Sequence, residues 1–472
     1  MIRKVKEECG VFGIYSMKKD EDLAGLTCIG LSSLQHRGEE SCGIAINDGG
    51  LVHCEKNIGL VNEVFTPDVL SRMPTGKIAI GHVRYSTTGS PKKENAQPIV
   101  KRYSKGNICV VHNGNLTNSA ELREELEMHG AIFNSTSDTE VICAIIARER
   151  IKAGSIEEAV IRATKYLKGA YSLLVMSSRK LVAVRDPHGF RPLCMGKLGN
   201  DYVFASESCA LDVIGADFVR DVKPGEVITI FNDELKTQNF RKKEKDGLCI
   251  FEYVYFARPD SNVDGMNVHK FRELAGKYLA EQAPVDADFV AGVPDSGIDA
   301  ALGYSKYSKI PYDIAFVKSK YIGRTFIQAT QSKRKKQVAL KLNPISANVK
   351  GKKIILIDDS LVRGTTITRI IEILRRAGAK EIHLRIASPA FLGICYFGTD
   401  VTDKDGLIAT KKSIEEIRKQ IGADSLEYLS LKNLRKIAEE SDMKGFCEGC
   451  FTSKYPIKVP DEIIKDKFEK IF

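Results

Sequence analysis

The stretch that decides the fold is "IILIDDSLVRGTTITRIIEILRRAG", residues 354–378. Four apolar residues form a buried strand and deliver two carboxylates, Asp358 and Asp359, to its C-terminal end. A short loop containing Gly364 follows, and then an amphipathic helix is predicted over 365–378, with Ile367, Ile370, Ile371 and Leu374 on one face. "EIHLRIAS" (381–388) is the next apolar strand. Strand, helix, strand is a βαβ unit, so this half of the chain is expected to hold a parallel sheet. "FVAGVP" (289–294) and "IAFV" (314–317) add further apolar strands.

Ligands of open α/β sheets bind beyond the carboxyl ends of the strands. There Gly364 permits a tight turn, and Thr365 and Thr366 open a helix N-terminus, a natural phosphate cradle. Acids beside such a cradle make sense if the ligand also carries sugar hydroxyls or a divalent cation. A plain acidic strand end before a Thr-capped helix is the rival reading, but thirteen consecutive residues fit one ligand pattern. "AGVPDSG" (291–297) supplies a second turn, with Asp295, Ser296 and Gly297 presenting successive amides as an anion nest. The basic segment 318–341 reads either as a solvated loop or as a lid closing over an anionic substrate.

Working outward, the first half consists of short strands punctuated by glycine: 11–16, 78–86, 108–114, 170–177, 181–186 and 202–208. Helical patterns stand between them at 119–130 and 137–154, the latter with Val141, Ile142, Ile145 and Ile146 aligned. This is an α+β pattern with antiparallel sheets. The charged stretch "RKKEKDG" (241–247) is the expected boundary, and the tail from about 412 reads as helical without strand signals.

At 472 residues the chain is expected to form two domains. It has no apolar run of membrane-spanning length, and its first eight residues lack a secretory h-region. The net charge of +10 includes the run "SKRKK" (332–336), yet an anionic small molecule accounts for it as well as nucleic acid does. Twelve cysteines without a secretory signal point to a reducing compartment. Seven of them (Cys28, Cys42, Cys54, Cys109, Cys143, Cys194 and Cys209) sit in packing contexts.

Cys9 is different. "KVKEECGVFGIYS" (4–16) places it behind two glutamates and directly ahead of a strand. Either it is a core thiol, or the eight preceding residues are removed and its freed α-amine, with a pKa of about 8, becomes the base for its own thiol. Four more segments bear on this choice: "LQHRGEESCG" (34–43), "HVRYSTTG" (82–89), "HNGN" (112–115) and "SDTE" (137–140). Taken singly, Arg84 is a surface arginine, Asn113–Gly114 a turn and Asp138 a helix cap. Four further thiols remain: the C-x-x-C pair Cys447 and Cys450 in "FCEGC", with Cys249 and Cys395. Such a set suits tetrahedral zinc or a [4Fe–4S] cluster, and spacing does not separate the two.

"IILIDDSLVRGTT" resembles the phosphoribosyl-pyrophosphate (PRPP) motif of type I phosphoribosyltransferases, and the N-terminal segments resemble the class II glutamine amidotransferases, which are N-terminal-nucleophile hydrolases. Over essentially its whole length the chain resembles the glutamine PRPP amidotransferase family, in its Bacillus-like iron–sulfur branch. The resemblance implies a propeptide over 1–8 and a four-layer αββα glutaminase domain with antiparallel sheets over 9–240. It also implies an α/β phosphoribosyltransferase domain with a parallel sheet and a helical tail over 248–472. Cys9 becomes the nucleophile, Asn113 and Gly114 the oxyanion hole, and Arg84 and Asp138 the clamps for glutamine. Asp358, Asp359 and Ser296 would hold Mg2+ and PRPP, the loop Arg363–Gly364–Thr365–Thr366 the 5′-phosphate, and Asp295 and Gly297 the pyrophosphate. The four remaining cysteines would ligate a [4Fe–4S] cluster.

The implied reaction consumes glutamine, PRPP and water and yields phosphoribosylamine, glutamate and pyrophosphate, the first committed step of purine synthesis, with ammonia passing internally between the sites. Purine-nucleotide feedback, a homotetramer and a cytoplasmic setting follow from the same resemblance, with no nucleic-acid or membrane partner. Other class II amidotransferases lack the 354–366 motif. A PRPP-sensing DNA-binding regulator would not need the thiol and oxyanion pair, and no helix-turn-helix is evident.

Overall fold

The computed structural model describes residues 9–18, 21–85, 92–240, 247–318, 342–441, 443 and 445–460. Residues 1–8, all of "STTG" (86–89), residues 241–246 of the expected boundary and the basic segment 319–341, with its "SKRKK" run, lie outside the described residues.

Among the described residues, the first half builds two stacked antiparallel sheets. The first has seven strands in the order Asp217–Asp221, Cys194–Leu198, Asp201–Ala205, Gly10–Tyr15, Ile78–Arg84, Ser41–Asp48 and Leu51–Ile58. The second has six: Glu234–Asn239, Glu226–Phe231, Lys180–Arg185, Gly169–Ser177, Gly106–Leu116 and Ile99–Tyr103. Alternation along Gly10–Tyr15 explains the layering. Val11 and Tyr15 face inward and pack between the sheets with Ile78, Ile80, Val111, Leu174 and Met176. Phe12 and Ile14 face outward against Leu23 and Leu31 of the helix Leu23–Ser33. On the far side Val110, Leu173, Val175 and Val182 meet Val141, Ile142, Ile145 and Ile146 of the helix Asp138–Lys152. The result is the expected αββα sandwich. A strand buried on both faces is apolar at every position, which is why these runs stand out in the sequence.

The second half is a parallel sheet in the order Phe289–Gly292, Lys353–Asp358, Glu381–Ile386 and Ser425–Tyr428. Ile354 and Leu356 face the helix Thr365–Arg376 through Ile367, Ile370, Ile371 and Leu374. Each such buried aliphatic side chain contributes about 1.5–3 kcal/mol before entropic costs. Ile355 and Ile357 face the opposite layer, Phe271 and Leu279 of Val268–Gln282 and Tyr304 of Ile298–Ser308.

Two expectations need correction. The run 314–317 does not join the parallel sheet; Phe316–Lys318 pairs antiparallel with Leu342–Pro344, and Ile314 and Val317 are exposed. The tail is not free of strands. Ser425–Tyr428 adds the edge strand of the sheet, with only Leu426 and Tyr428 buried. Two apolar positions in four residues are too few to reveal a period in the sequence.

Buried polar contacts join the two halves. Arg185 pairs with both carboxylate oxygens of Asp264 at 2.7 and 2.8 Å. Asn115 Nδ2 donates to the Tyr396 carbonyl at 2.9 Å, and Arg191 Nη2 to that of Phe397 at 2.7 Å. No helix among the described residues is long and apolar enough to cross a membrane.

Candidate active sites

Cys9 stands immediately before the strand Gly10–Tyr15 and is buried. Its thiol donates to the Tyr85 carbonyl at 3.4 Å, and its own carbonyl accepts from Arg37 Nε at 3.0 Å. Ser206 ties this strand to the one carrying "HNGN". Its hydroxyl oxygen accepts from the Val11 amide at 2.9 Å and lies 3.4 Å from Asn113 Nδ2. Asn113 Oδ1 is buried and has no hydrogen-bond partner among the described residues. Gly114 sits at φ +144°, where a Cβ would lie 2.1 Å from the Ala170 carbonyl oxygen, so the strand accommodates only glycine there.

Asp138 opens the helix Asp138–Lys152, but Ser137 is the residue that caps it. The Asp138 carboxylate instead accepts from the Leu116 amide at 3.1 Å and lies 3.6 Å from His112 Nδ1. Burial opposes its charge, but His112, the Leu116 amide and the charge of Arg84 outweigh this and hold the carboxyl below the ordinary range. Arg84, at the end of Ile78–Arg84, is likewise buried. A buried guanidinium and a buried carboxylate close enough to influence one another could receive the two charged ends of an amino acid. The sequence reading identified Arg84, Asn113, Gly114 and Asp138 but missed His112, Ser206 and Arg37. Arg37 lies in the quoted "LQHRGEESCG", where its polar neighbours Gln35, His36, Glu39 and Glu40 give no sign that it is buried.

The second site lies where the sheet topology predicts. A cavity is lined by Asp358, Asp359, Arg363, Gly364, Thr365 and Thr366, together with Tyr255. Gly364 takes φ +77° and ends the loop, and the helix starts at Thr365 with its first amides facing this cavity. Both carboxylates are buried. The Ser296 and Ser360 hydroxyls donate to Asp359, so the two loops meet as expected. Gly297 packs against the strand, where a Cβ would lie 2.4 Å from the Ile357 carbonyl oxygen, and Asp295 pairs with Lys318 outside the cavity. Tyr255 was not anticipated, because it belongs to the short turn Glu252–Phe256 more than a hundred residues upstream.

Cys249, Cys395, Cys447 and Cys450 line one cavity with Phe190, Phe251, Phe397 and Tyr455. The segment of Cys249 pairs with that of Cys447, and the Phe397 amide donates to Cys395 Sγ at 3.4 Å. Burial pushes the Cys447 thiol up to about 12, with Cys395 adding to it, and Cys450 is raised by burial and then by the other three. A single tetrahedral zinc would require thiolates about 3.8 Å apart. Among the described residues no three metal-ligating side chains converge that closely. Four thiols around one cavity are a donor set that suits a metal or an iron–sulfur cluster.

Residues 82–213 match the glutamine amidotransferase domain family and residues 266–388 the phosphoribosyl transferase domain family. Amidophosphoribosyltransferase of Methanocaldococcus jannaschii is 47% identical over 98% of this chain and 99% of its own. That of Bacillus subtilis is 44% identical over 98% and 97%. The structure of the B. subtilis glutamine PRPP amidotransferase complexed with ADP and GMP superimposes with a TM-score of 0.89 at 43% identity, covering 97% of this chain and 99% of that one. A structure of the allosteric regulatory enzyme of purine biosynthesis superimposes with a TM-score of 0.91 at 42% identity, over 98% and 99%.

Proposed function

The chain belongs to the amidophosphoribosyltransferase family and has its glutamine-dependent activity on PRPP in purine biosynthesis, and from that premise we propose which residues carry the reaction. Removal of residues 1–8 leaves Cys9 as the first residue. Its α-amine takes the thiol proton, and Sγ attacks the glutamine amide carbon to give a γ-glutamyl thioester and ammonia. Water then hydrolyses the thioester to glutamate.

Oxyanion stabilisation falls to Asn113 and the Gly114 amide. Turning the Asn113 amide about its last torsion would let the Ser206 hydroxyl donate to Oδ1 and point Nδ2 at the reacting oxygen, which uses the orphaned atom productively. Arg84 holds the substrate carboxylate and Asp138 its ammonium group.

In the second site the helix N-terminus at Thr365 and Thr366, with Arg363 and Gly364, holds the 5′-phosphate. Asp295 and Gly297 flank the pyrophosphate. Asp358, Asp359 and Ser296 offer only oxygen donors, the set a Mg2+ ion shares with substrate phosphates and water. When bound, the ion neutralises the departing pyrophosphate. Ammonia from the Cys9 site attacks C1 of PRPP, and pyrophosphate leaves. Direct passage between the sites is supported by the turn Glu252–Phe256: Glu252 bonds Arg37 beside Cys9, and Tyr255 lines the PRPP cavity.

Cys249, Cys395, Cys447 and Cys450 would ligate a [4Fe–4S] cluster stitching the tail to the linker and to Phe190. Purine-nucleotide feedback is in keeping with the ADP and GMP complex of the B. subtilis relative; a homotetramer and a cytoplasmic setting complete the reading.

The observation that supports the assignment is Ser206, whose hydroxyl accepts from the amide of Val11, two residues beyond Cys9, and lies 3.4 Å from Asn113 Nδ2. The test is a Cys9→Ser variant, with intact mass measured on the wild type. Loss of residues 1–8 is expected, with glutamine-dependent synthesis abolished and ammonia-dependent synthesis retained in the variant. Glutamine turnover at the wild-type rate in Cys9→Ser would overturn it.

A further inference from the structure

We infer that Glu252, a carboxylate of the second domain, is a positioning residue for the Cys9 nucleophile and acts through Arg37; this rests on the reading of Cys9 given above. Arg37 is fully buried, and each nitrogen of its guanidinium is engaged. Nε donates to the Cys9 carbonyl at 3.0 Å. Nη1 donates to Glu207 Oε1 at 2.6 Å and to Glu252 Oε2 at 2.9 Å, and Nη2 to Glu252 Oε1 at 2.8 Å. Glu252 also accepts from Arg191 Nη1 at 3.3 Å, and Arg191 in turn holds the Phe397 carbonyl. Two buried arginines thus face two buried glutamates, with one glutamate contributed by each domain.

A guanidinium is rigid and planar, so a carboxylate gripping both Nη groups also fixes where Nε–H points. Here it points at the carbonyl of the nucleophilic residue. Once residues 1–8 are gone, Cys9 has no preceding peptide to hold it. Its carbonyl is then the backbone handle that sets rotation about Cα–C, and with it the placement of the α-amine and of Cβ. An anchor on that carbonyl keeps amine and thiol in one mutual arrangement. Misplacement of a reacting group by about 1 Å costs up to ~10²-fold in rate. Glu207 alone does not supply this grip. It accepts from Nη1 of Arg37 and is shared with His36, Ser261 and the Arg258 amide. The bidentate partner that orients the fork is Glu252.

Simple adhesion between domains is the competing role, and the molecule contains a control for it. Arg185 and Asp264 form an equally close bidentate pair across the same boundary. That pair makes no contact with Cys9 or Arg37.

The experiment compares full-length wild type, Glu252→Gln, Glu252→Asp, Asp264→Asn and Cys9→Ser, assayed for glutamine hydrolysis without PRPP and for ammonia-dependent synthesis with PRPP. Glu252→Gln is expected to lower kcat for glutamine about tenfold or more. Its KM for glutamine should stay within about twofold, because Arg84 and Asp138 are untouched, and ammonia-dependent synthesis should stay within about twofold. Glu252→Asp keeps the charge and should recover part of the lost kcat; it also serves if Glu252→Gln fails to fold. Asp264→Asn should leave both rates within about twofold.

The inference is overturned if both Glu252 variants hydrolyse glutamine like the wild type, or if Asp264→Asn loses as much kcat as Glu252→Gln. An inert Cys9→Ser beside an unimpaired Glu252→Gln would remove only the positioning role. A Cys9→Ser variant that still hydrolyses glutamine would remove the nucleophile assignment on which it rests.

Discussion

Truncation of Asn113 to alanine isolates the transition-state role of one side chain with little collateral damage. The side chain is buried, but its contact in the resting enzyme is weak: Nδ2 lies 3.4 Å from Ser206 Oγ, at the long end of the hydrogen-bond range, and Oδ1 has no partner among the described residues. A bond this long contributes at most about 1 kcal/mol to folding. Gly114 and the strand pairing of Asn113 with Ser172 depend on backbone groups that the substitution leaves in place. Asn113→Ala is therefore expected to fold. In catalysis the loss is much larger, because removal of one preorganised oxyanion donor costs about 2.7–4 kcal/mol, or ~10²–10³ in kcat.

The assay is steady-state glutamate release from glutamine, alongside ammonia-dependent phosphoribosylamine synthesis, with a urea melt as the folding control. KM for glutamine should change by less than about threefold, since the clamps at Arg84 and Asp138 are not altered. A kcat within about tenfold of wild type, in protein whose glutaminase still requires Cys9, would refute the placement of the oxyanion at Asn113.

Gly114→Ala should be more damaging and less selective. The added Cβ meets the Ala170 carbonyl oxygen at 2.1 Å at a backbone angle alanine tolerates poorly, so urea melts should show destabilisation of at least 1–3 kcal/mol together with loss of glutaminase. Asp221 gives a signed pH prediction. Burial, then the neighbouring Asp264, raises its carboxyl to about 6 against the pull of Arg185. Folding therefore favours its protonated form, and the stability gained below about pH 4 is lost as pH rises through 6. Asp221→Asn should raise stability on the order of 2 kcal/mol at pH 7.5 and change little at pH 4, read as the urea midpoint at each pH. Cys450→Ser, purified without oxygen, should contain markedly less iron and acid-labile sulfide than wild type; unchanged content would remove Cys450 from the ligand set.

The loop at the end of the parallel sheet was legible in the sequence because it is one contiguous peptide with a local signature. "IILIDDSLVRGTT" encodes a strand, its acidic end, the φ-positive turn at Gly364 and the first turn of a helix in thirteen residues, and the structure shows each in that order. The apolar strands at the centre of each sheet were equally plain. Weak edge strands were not, and Ser425–Tyr428 was missed for that reason. The two-stranded ribbon of Phe316–Lys318 was misplaced because an apolar run says that a strand forms, but not which partner it takes.

The sequence by itself determined the two domain classes and the short-range geometry of the loop from Asp358 to Thr366, since that loop depends on neighbours within a dozen residues. Only the tertiary structure decided that Ser206 joins Val11 to Asn113, that Glu252 reaches Arg37, and that Cys249, Cys395, Cys447 and Cys450 share a cavity. The hydrogen bonds among them span 93 to 215 positions along the chain. They arise because packing apolar faces brings remote segments together and leaves their buried polar groups to satisfy one another. No local pattern encodes that pairing.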